Sequence, residues 1–574
     1  MKSDVSIVLA GAAGQGIETV AGMLASITKN SGYNVFVTRE FMSRIRGGTN
    51  SLQLRISSVR RAAYVKRTDI AIPLNATAMS HLDKYGRVNK QTIAIGEKEF
   101  LDEQLKEKLA AVIEVPFTDI AKDVGGKIYS NTVAAGLVAA VFNVEEKIVS
   151  EYLASRFGSK GDEVVQNNFL AYKKGFEVGS ELVNKGEIVF HLEKDLKRRS
   201  DLLLRGTDAV ALGAIAGGCN FIASYPMSPS TGVLTFLSQQ AKEFGIVVDQ
   251  TEDEISAINK NIGAWYAGAR AMVTTSGGGF ALMIEGVSLT GMLESPMVIH
   301  LAQRPGPATG LPTRTEQGDL NLVLHAGHGE FPRVIFAPGT LQEGFNHTRS
   351  AFNIADKYQI PVFILTDQFF VDSSYNTPKP NLDTKNERHI VETSEGYQRY
   401  KITETGISPR GIPDYGKGLV VADSDEHDEN GHITEDLNLR PRMVEKRLRK
   451  KLEYLREDSV SPTLVGDDDY NLLIVAWGSN FYAVKEAIES AKLDGVAMLH
   501  FSQVYPIPEK ATQYLKRAGK IASVENNATG QFADLLNVET GYSIPSKHRL
   551  LSYNGLPFPV EEIEKFIHEM TEKE

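Results

Sequence analysis

Short apolar runs recur along the chain, each closed by a glycine or proline break and followed by a stretch where apolar residues return every three or four positions. VSIVLAG (5–11) leads into a glycine cluster and then IETVAGMLASITKNSG (17–32); NVFVTREF (34–41), TDIAIPL (68–74), QTIAIG (91–96) and SNTVAAGLVAAVF (130–142) follow. Brief apolar runs bounded by turn residues read as buried strands, and 3.6-periodic stretches as helices. Their alternation predicts an α/β domain with a parallel sheet over residues 1–190. The polar stretch LEKDLKRRSDLLLRGTDA (192–209) reads as a linker.

The same alternation returns in a second α/β domain expected over 196–375, with strand-like FIAS, PMVIHLA, RVIFA and PVFILTD. It decays over 376–465, which predicts a long, mostly irregular excursion. A basic helix, VEKRLRKKLEYLRE (444–457), closes that excursion, and its charges read as a solvated face. NLLIVAWGSN, VAMLHFSQVYPIP and KIASVEN mark a third α/β domain over 466–574.

Composition narrows the classes. No apolar run in the 574 residues reaches the roughly 18 needed to span a membrane. The N-terminus does not read as a signal peptide, so a cytoplasmic protein with no membrane partner is expected. The balance of 62 basic and 72 acidic residues gives −10, which argues against nucleic acid as a partner. The one cysteine, Cys219 in AGGCNFIA, excludes a disulfide or a cluster held by this chain's own thiolates and reads as a small core residue.

Several motifs carry candidate chemistry. GAAGQG (11–16) has glycines at a strand-to-helix turn, suited to a phosphate, but its spacing is not the dinucleotide fingerprint; a ligand-free turn and a nucleotide-like ligand at a subunit seam both stand. Arg44 and Arg46 precede Gly47-Gly48, which reads either as cations on a glycine hinge for a carboxylate or phosphate, or as a solvated loop. SYPMSPST (224–231) holds hydroxyls in a turn stiffened by two prolines. EDEISAINKNIGAWYAGA (252–269) sets three acids at a helix mouth; capping accounts for two, and the third, if drawn inward, is able to share a proton with a ring nitrogen. TTSGGGFALMIEG (274–286) offers a glycine turn for a flat ligand, and HLAQRPGPATG (300–310) puts Arg304 past a strand end. Ser228, Glu254, Ser276 and Arg304 all fall near carboxyl ends of strands, where open α/β sheets bind ligands. DSDEHDENGH (423–432) fails as a calcium loop and reads as a solvated acidic loop, with a transition metal on His427 and His432 as the lesser reading.

Taken in order, SYPMSPST, QTEDEISAI, TTSGGGFALMIEG and QRPGPATG resemble the α subunit of 2-oxoacid:ferredoxin oxidoreductases, nearest to the 2-oxoglutarate type. GAAGQGIETVAG with SRIRGGTNS resembles that family's γ subunit, here fused ahead of α, and NLLIVAWGSN, VYPIP and SVENNATGQ resemble its transketolase-C-like domain. The resemblance implies a γ-type domain, a thiamine-pyrimidine-binding domain and a transketolase C-terminal-like domain. It implies that Glu254 hydrogen-bonds the thiamine pyrimidine, that Tyr225, Pro226, Met227, Ser276, Gly277 and Gly278 line that ring, and that Ser228 and Arg304 meet the substrate. The family turn usually carries threonine where Ser228 stands, which puts the pocket's shape in doubt. Arg46, with Arg44 as fallback, is placed to hold a distal carboxylate or coenzyme A.

No Gly-Asp-Gly diphosphate motif and no cluster cysteines are present, so the resemblance implies a β subunit carrying the diphosphate, Mg2+ and [4Fe-4S] sites, with this chain inactive alone. The expected assembly is a dimer of α–β heterodimers. The expected reaction is the reversible, coenzyme A-dependent oxidation of 2-oxoglutarate to succinyl-CoA and carbon dioxide, with electrons passing to ferredoxin. The same chemistry on pyruvate or another 2-oxoacid, and a non-catalytic assembly subunit, stand as alternatives.

Overall fold

The computed structural model describes residues 4–12, 16–41, 48–383 and 385–572. Two compact units are described in turn. The first holds residues 1–204 with 373–379 and 559–561, and the second holds 205–372, 380–558 and 562–574. Arg44 and Arg46 lie outside the described residues.

In the first unit the apolar runs form one eight-stranded sheet. Its edge-to-edge order is Ala111–Glu114, Ile93–Gly96, Ile70–Pro73, Asp4–Ala12, Thr49–Ser57, Asn34–Glu40, Ser374–Thr377 and Leu202–Arg205. The sheet is mixed rather than parallel. Thr49–Ser57 pairs antiparallel with both Asp4–Ala12 and Asn34–Glu40. The alternating stretch SLQLRIS belongs to this strand. Only eight residues separate Asn34–Glu40 from Thr49–Ser57, fewer than the roughly dozen a parallel crossover needs, so the chain returns antiparallel. Arg55 of this strand is fully buried, donating from Nε and Nη2 to Asp4 at 3.0 and 2.6 Å and from Nη1 to the Ala63 carbonyl at 2.7 Å.

On this unit the helices Ser130–Val141 and Asp162–Asn184 meet through glycine. A Cβ on Gly175 would lie 1.9 Å from the Val133 carbonyl oxygen, and one on Gly136 would lie 2.1 Å from that of Tyr172. Backbone therefore packs on backbone, and no side chain fits between.

The second unit contains two sheets over one continuous apolar core, which includes both tryptophans, Trp265 and Trp477. The larger sheet runs Gln503–Tyr505, Val334–Phe336, Pro361–Asp367, Met297–Gln303, Ala271–Thr275, Phe221–Ser224 and Val247–Gln250, parallel except for the first. Every residue of Met297–Gln303 and Pro361–Asp367 is buried, as expected of central parallel strands covered on both faces. The smaller sheet runs Thr463–Gly466, Val496–Phe501, Leu472–Trp477, Lys520–Glu525 and Arg549–Leu551, parallel except for its first strand. Chain from the C-terminal part thus finishes the larger sheet, because Gln503–Tyr505 pairs antiparallel with Val334–Phe336. Among the described residues, no helix is long and apolar enough to cross a membrane.

Residues 380–438 contain no regular helix or strand among those described. The basic helix that follows keeps Arg449 and Arg456 exposed but is not solvated throughout. Lys446, Arg447 and Lys451 are buried, and both lysines pair with buried Glu294. Burial alone would raise the Glu294 carboxyl; the two ammonium groups outweigh it and hold the group well below the usual carboxylate range. Arg447 pairs in turn with Glu426 at 2.9 Å. His427 is buried too, with its ring 3.8 Å from that of Tyr400, so DSDEHDENGH is partly interior rather than wholly solvated. Among the described residues, no group of three or more His, Cys, Asp or Glu side chains is arranged to hold a metal. Cys219 is a buried core thiol pushed up to about 12 by burial.

The glycine-mediated helix contact sets a stability test. Gly175→Ala should destabilise the chain by about 1–3 kcal/mol, the usual cost of overpacking. Gly158→Ala, with nothing within 4 Å of its added methyl, should be close to neutral. Paired denaturant melts compare the two.

Candidate functional site

The candidate site forms where strands of the larger sheet end. Phe221–Ser224 stops at Ser224, whose Oγ accepts from the Thr274 amide at 2.9 Å and so links two strand ends. The chain then runs through Tyr225-Pro226-Met227 into a turn. Met227 O accepts from Ser230 N at 2.9 Å, Ser230 Oγ at 2.8 Å and Thr231 N at 3.2 Å, which starts the helix Thr231–Phe244. Tyr225 is exposed, and Pro226 and Met227 are half-buried. Ser228 is exposed, and its carbonyl oxygen takes Nη1 of Arg304 at 2.6 Å.

The three acids of EDE separate by environment. Glu252 is exposed. Asp253 caps the helix Glu254–Tyr266, accepting from the Ser256 amide at 2.7 Å. Glu254 is 3% exposed, and its Oε1 has no hydrogen-bond partner. Burial raises its carboxyl above the ordinary range, and Asp253 adds to the rise, against its own backbone amide. Farther along the same helix Asn261 is fully buried. Its Nδ2 donates to Ala223 O and Ala257 O, at 2.8 and 2.7 Å, while Oδ1 is left without a partner.

The glycine turn after Ala271–Thr275 explains its own composition. A Cβ on Gly279 would lie 2.5 Å from Glu254 Oε1 and 2.4 Å from Thr275 Oγ1. One on Gly277 would lie 2.5–2.6 Å from both carboxylate oxygens of Asp319. Gly278 is exposed, and a Cβ on it would meet only the Ala308 carbonyl oxygen, at 3.6 Å. Two glycines thus admit two carboxyl groups, and the middle one leaves an open edge of backbone. Ser276 is fully buried, with its Oγ unpartnered.

Arg304 follows Met297–Gln303. Its Nε is buried without a partner, and burial lowers the group's pKa against the pull of Asp319. Asp319, absent from the motif reading, is the residue that ties these parts together. Its amide donates to Gln303 Oε1 at 2.9 Å, and its Oδ2 is buried and unpartnered. Burial, then Glu316, pushes its carboxyl up to about 7, with Arg304 pulling the other way.

The loop bearing Asp319 is clamped by the smaller sheet through Gln317. Its Nε2 donates to Trp477 O at 3.0 Å, and its Oε1 accepts from Asn480 Nδ2 and Asn526 N at 2.9 and 3.0 Å. Gln531 Nε2 donates to Gly318 O at 2.9 Å. The polar density of TRTEQGD was its only signal in the sequence; its partners are more than 150 residues away.

Contacts therefore join Ser228, Glu254, Ser276 to Gly279, Arg304 and Asp319 into one cluster. Four buried polar atoms in it have no protein partner: Glu254 Oε1, Ser276 Oγ, Arg304 Nε and Asp319 Oδ2. Buried polar groups are nearly always satisfied, so such a set is characteristic of a place built to receive something polar.

Comparison with known proteins defines the class. The family described as "Pyruvate flavodoxin/ferredoxin oxidoreductase, thiamine diP-bdg" matches residues 212–446, and that described as "Pyruvate ferredoxin/flavodoxin oxidoreductase" matches 6–178. The 2-oxoacid:ferredoxin oxidoreductase subunit alpha of Sulfolobus sp is 32% identical over 621 residues, covering 98% of this chain and 96% of its own length. The 2-oxoglutarate synthase subunit KorA of Archaeoglobus fulgidus is 34% identical over 331 residues, covering 57% of this chain and 88% of its own. A solved structure, the 2-oxoglutarate:ferredoxin oxidoreductase from Magnetococcus marinus with 2-oxoglutarate, coenzyme A and succinyl-CoA bound, superposes with a TM-score of 0.91 at 29% identity, covering 99% of this chain and 100% of that one. The protein is an oxidoreductase of the 2-oxoacid:ferredoxin type with a thiamine diphosphate-binding domain. The chain belongs to the 2-oxoacid:ferredoxin oxidoreductase family, among its α subunits.

Asp319 gives a test that needs no substrate. An unfolded aspartyl loses its proton near 3.8, and the folded one near 7. Between those values the folded chain holds a proton that the unfolded chain has released. This group's contribution to stability therefore falls as pH rises through the window and is lowest above it. Asp319→Asn removes the effect, so the variant should gain on the wild type in thermal melts taken from pH 4 to 8. Parallel curves would show that Asp319 titrates normally.

Proposed function

We propose that this chain is the γ–α subunit of a 2-oxoglutarate:ferredoxin oxidoreductase. It holds the pyrimidine half of thiamine diphosphate and completes the enzyme with a β subunit. The observation that supports this most directly is the buried carboxyl of Glu254, whose Oε1 has no partner, packed on the glycine turn whose middle residue presents open backbone.

That carboxyl fits an aromatic nitrogen base. Desolvation favours its neutral form, which donates a hydrogen bond, and a bound ring nitrogen would satisfy the atom now left without a partner. When bound, thiamine diphosphate supplies the electron sink for decarboxylation. Glu254 holds and exchanges the proton at the ring nitrogen. Tyr225, Pro226, Met227 and Ser276 to Gly278 flank the ring.

Arg304 is positioned for the substrate's 1-carboxylate, since Nη1 already rests on Ser228 O and Nε is unpaired. Asp319 in its neutral form leaves the guanidinium free for that anion rather than neutralising it. Ser228 offers its exposed hydroxyl at the same spot. Arg46, or Arg44 as the fallback, takes the distal carboxylate or coenzyme A. A second cation favours a dicarboxylate, because a shorter acid strands the charge.

The balanced reaction converts 2-oxoglutarate, coenzyme A and two oxidised ferredoxins into succinyl-CoA, carbon dioxide, a proton and two reduced ferredoxins. The C1–C2 bond breaks, a thioester forms at C2, and the two electrons released pass to the carrier through the cluster assigned to the β subunit. That subunit also carries Mg2+ and the diphosphate, in a dimer of α–β heterodimers in the cytoplasm. The Archaeoglobus relative and the Magnetococcus structure both bear 2-oxoglutarate in their names, which favours this acid over pyruvate.

Steady-state kinetics of the reconstituted complex tests the assignment. Glu254→Gln should lower kcat by roughly 10²- to 10⁴-fold, the span of a lost acid–base group. Arg304→Ala and Ser228→Ala should depress kcat/KM for every 2-oxoacid, and Ser228→Thr should retain activity with altered preference. Arg46→Ala should lose 2-oxoglutarate far more than pyruvate. Full activity of Glu254→Gln, or equal losses for both acids in Arg46→Ala, would overturn the respective roles.

A further inference from the structure

A cavity of about 310 Å³ opens at the end of the Glu254–Tyr266 helix remote from Glu254. Its helix residues lie eight to twelve positions past Glu254, which at about 1.5 Å each sets them roughly 12–18 Å along the axis from it. Gly263, Trp265 and Tyr266 of the helix line one side, with Leu293 beside them; Arg399 and Arg410, from the irregular segment, line the other.

The two arginines are buried, 6% and 3% exposed. Arg399 is committed to Gln359 Oε1 at 2.8 Å and Glu294 O at 2.8 Å. Arg410 gives Nη1 to Trp265 O at 3.2 Å and Nη2 to Asp356, and its guanidinium lies 5.7 Å from the centre of the Trp265 ring. Its Nε is buried and has no partner.

Charge around this wall does not balance. Asp356 serves both Arg410 and Arg270, and Glu294 is taken by Lys446 and Lys451. Five buried cations (these four and Arg399) thus face two carboxylates. Buried cations demand an anion or leave a large desolvation cost unmet.

Gly263 is the second sign. It sits inside a helix, where glycine costs about 1 kcal/mol against alanine. Nothing lies within 4 Å of the Cβ it lacks. Gly263 is also exposed, so the space its absent side chain leaves is the open side of the cavity, where a larger side chain fits.

We propose that this cavity binds a small organic carboxylate with a flat apolar body. The carboxylate takes Arg410 Nε and offsets the surplus charge, and the body lies against Tyr266 and Leu293. An inorganic anion would leave the apolar wall uncovered, and a neutral aromatic would leave the arginine unanswered.

The probe is 4-fluorobenzoate, followed by ¹⁹F NMR on the full chain. Because Arg304 also attracts carboxylates, two variants separate the sites. Gly263→Phe fills the cavity and should weaken binding at least about ten-fold, or 1.4 kcal/mol. Arg304→Ala should leave it unchanged. Saturable quenching of tryptophan fluorescence by 4-nitrobenzoate checks the wild type directly, without reliance on a variant's folding. Non-saturable quenching, binding indifferent to Gly263→Phe, or binding lost in Arg304→Ala would each overturn the proposal.

Discussion

A carboxyl oxygen buried without a partner is tolerated only if everything around it is held by other means, and Oε1 of Glu254 is such an atom. Its helix is fixed by Asp253, which caps the first turn, and by Asn261, which reaches across to Ala223 on the neighbouring strand. The turn it touches is fixed by geometry, since Gly279 admits no side chain between Thr275 and the carboxyl. The cost of dehydrating one acid is thereby met by a glycine turn at a strand end, a helix cap and a helix-to-strand hydrogen bond. Relaxing any of these would let water or a neighbouring donor reach Oε1 and return the group to ordinary acidity.

The fold class was legible because burial on both faces leaves an unmistakable trace. PMVIHLA and PVFILTD are nearly unbroken apolar runs, and they are the central strands. The antiparallel Thr49–Ser57 was obscured by the arginines and glycines before it, although SLQLRIS alternates as a strand should. At the site, residues next to glycine or proline were visible, because those neighbours restrict the backbone. Asp319 was not, since its importance comes from Gly277 and Arg304, both distant in sequence, and from partners of Gln317 more remote still. Nothing local marks a polar residue whose role is set by what folds onto it.

The basic helix shows the opposite failure. Lysines and arginines in VEKRLRKKLEYLRE satisfy every expectation of a solvated surface, yet Lys446 and Lys451 converge on Glu294 in the interior. Glu294 holds a left-handed backbone at φ 47° directly after the helix Ile284–Leu293, which turns its side chain away from the path a helix would give it. The irregular segment 380–438 follows the same logic. Lacking a ladder of its own, it is fastened by guanidinium groups to carbonyls and carboxylates of the ordered core, so that charge replaces periodicity as its organising force.

The strand Gln503–Tyr505 carries a different implication. It lies among elements of the smaller sheet in the chain yet completes the larger one, where Val334–Phe336 would otherwise be an exposed, wholly apolar edge. The C-terminal third is thus no detachable cassette. A nascent chain released before residue 505 would display a sheet edge ready to pair with any passing strand. Synthesis of this polypeptide therefore carries a risk of misassociation until late, and recombination that exchanged the C-terminal part between relatives would have to preserve three residues of another sheet's register.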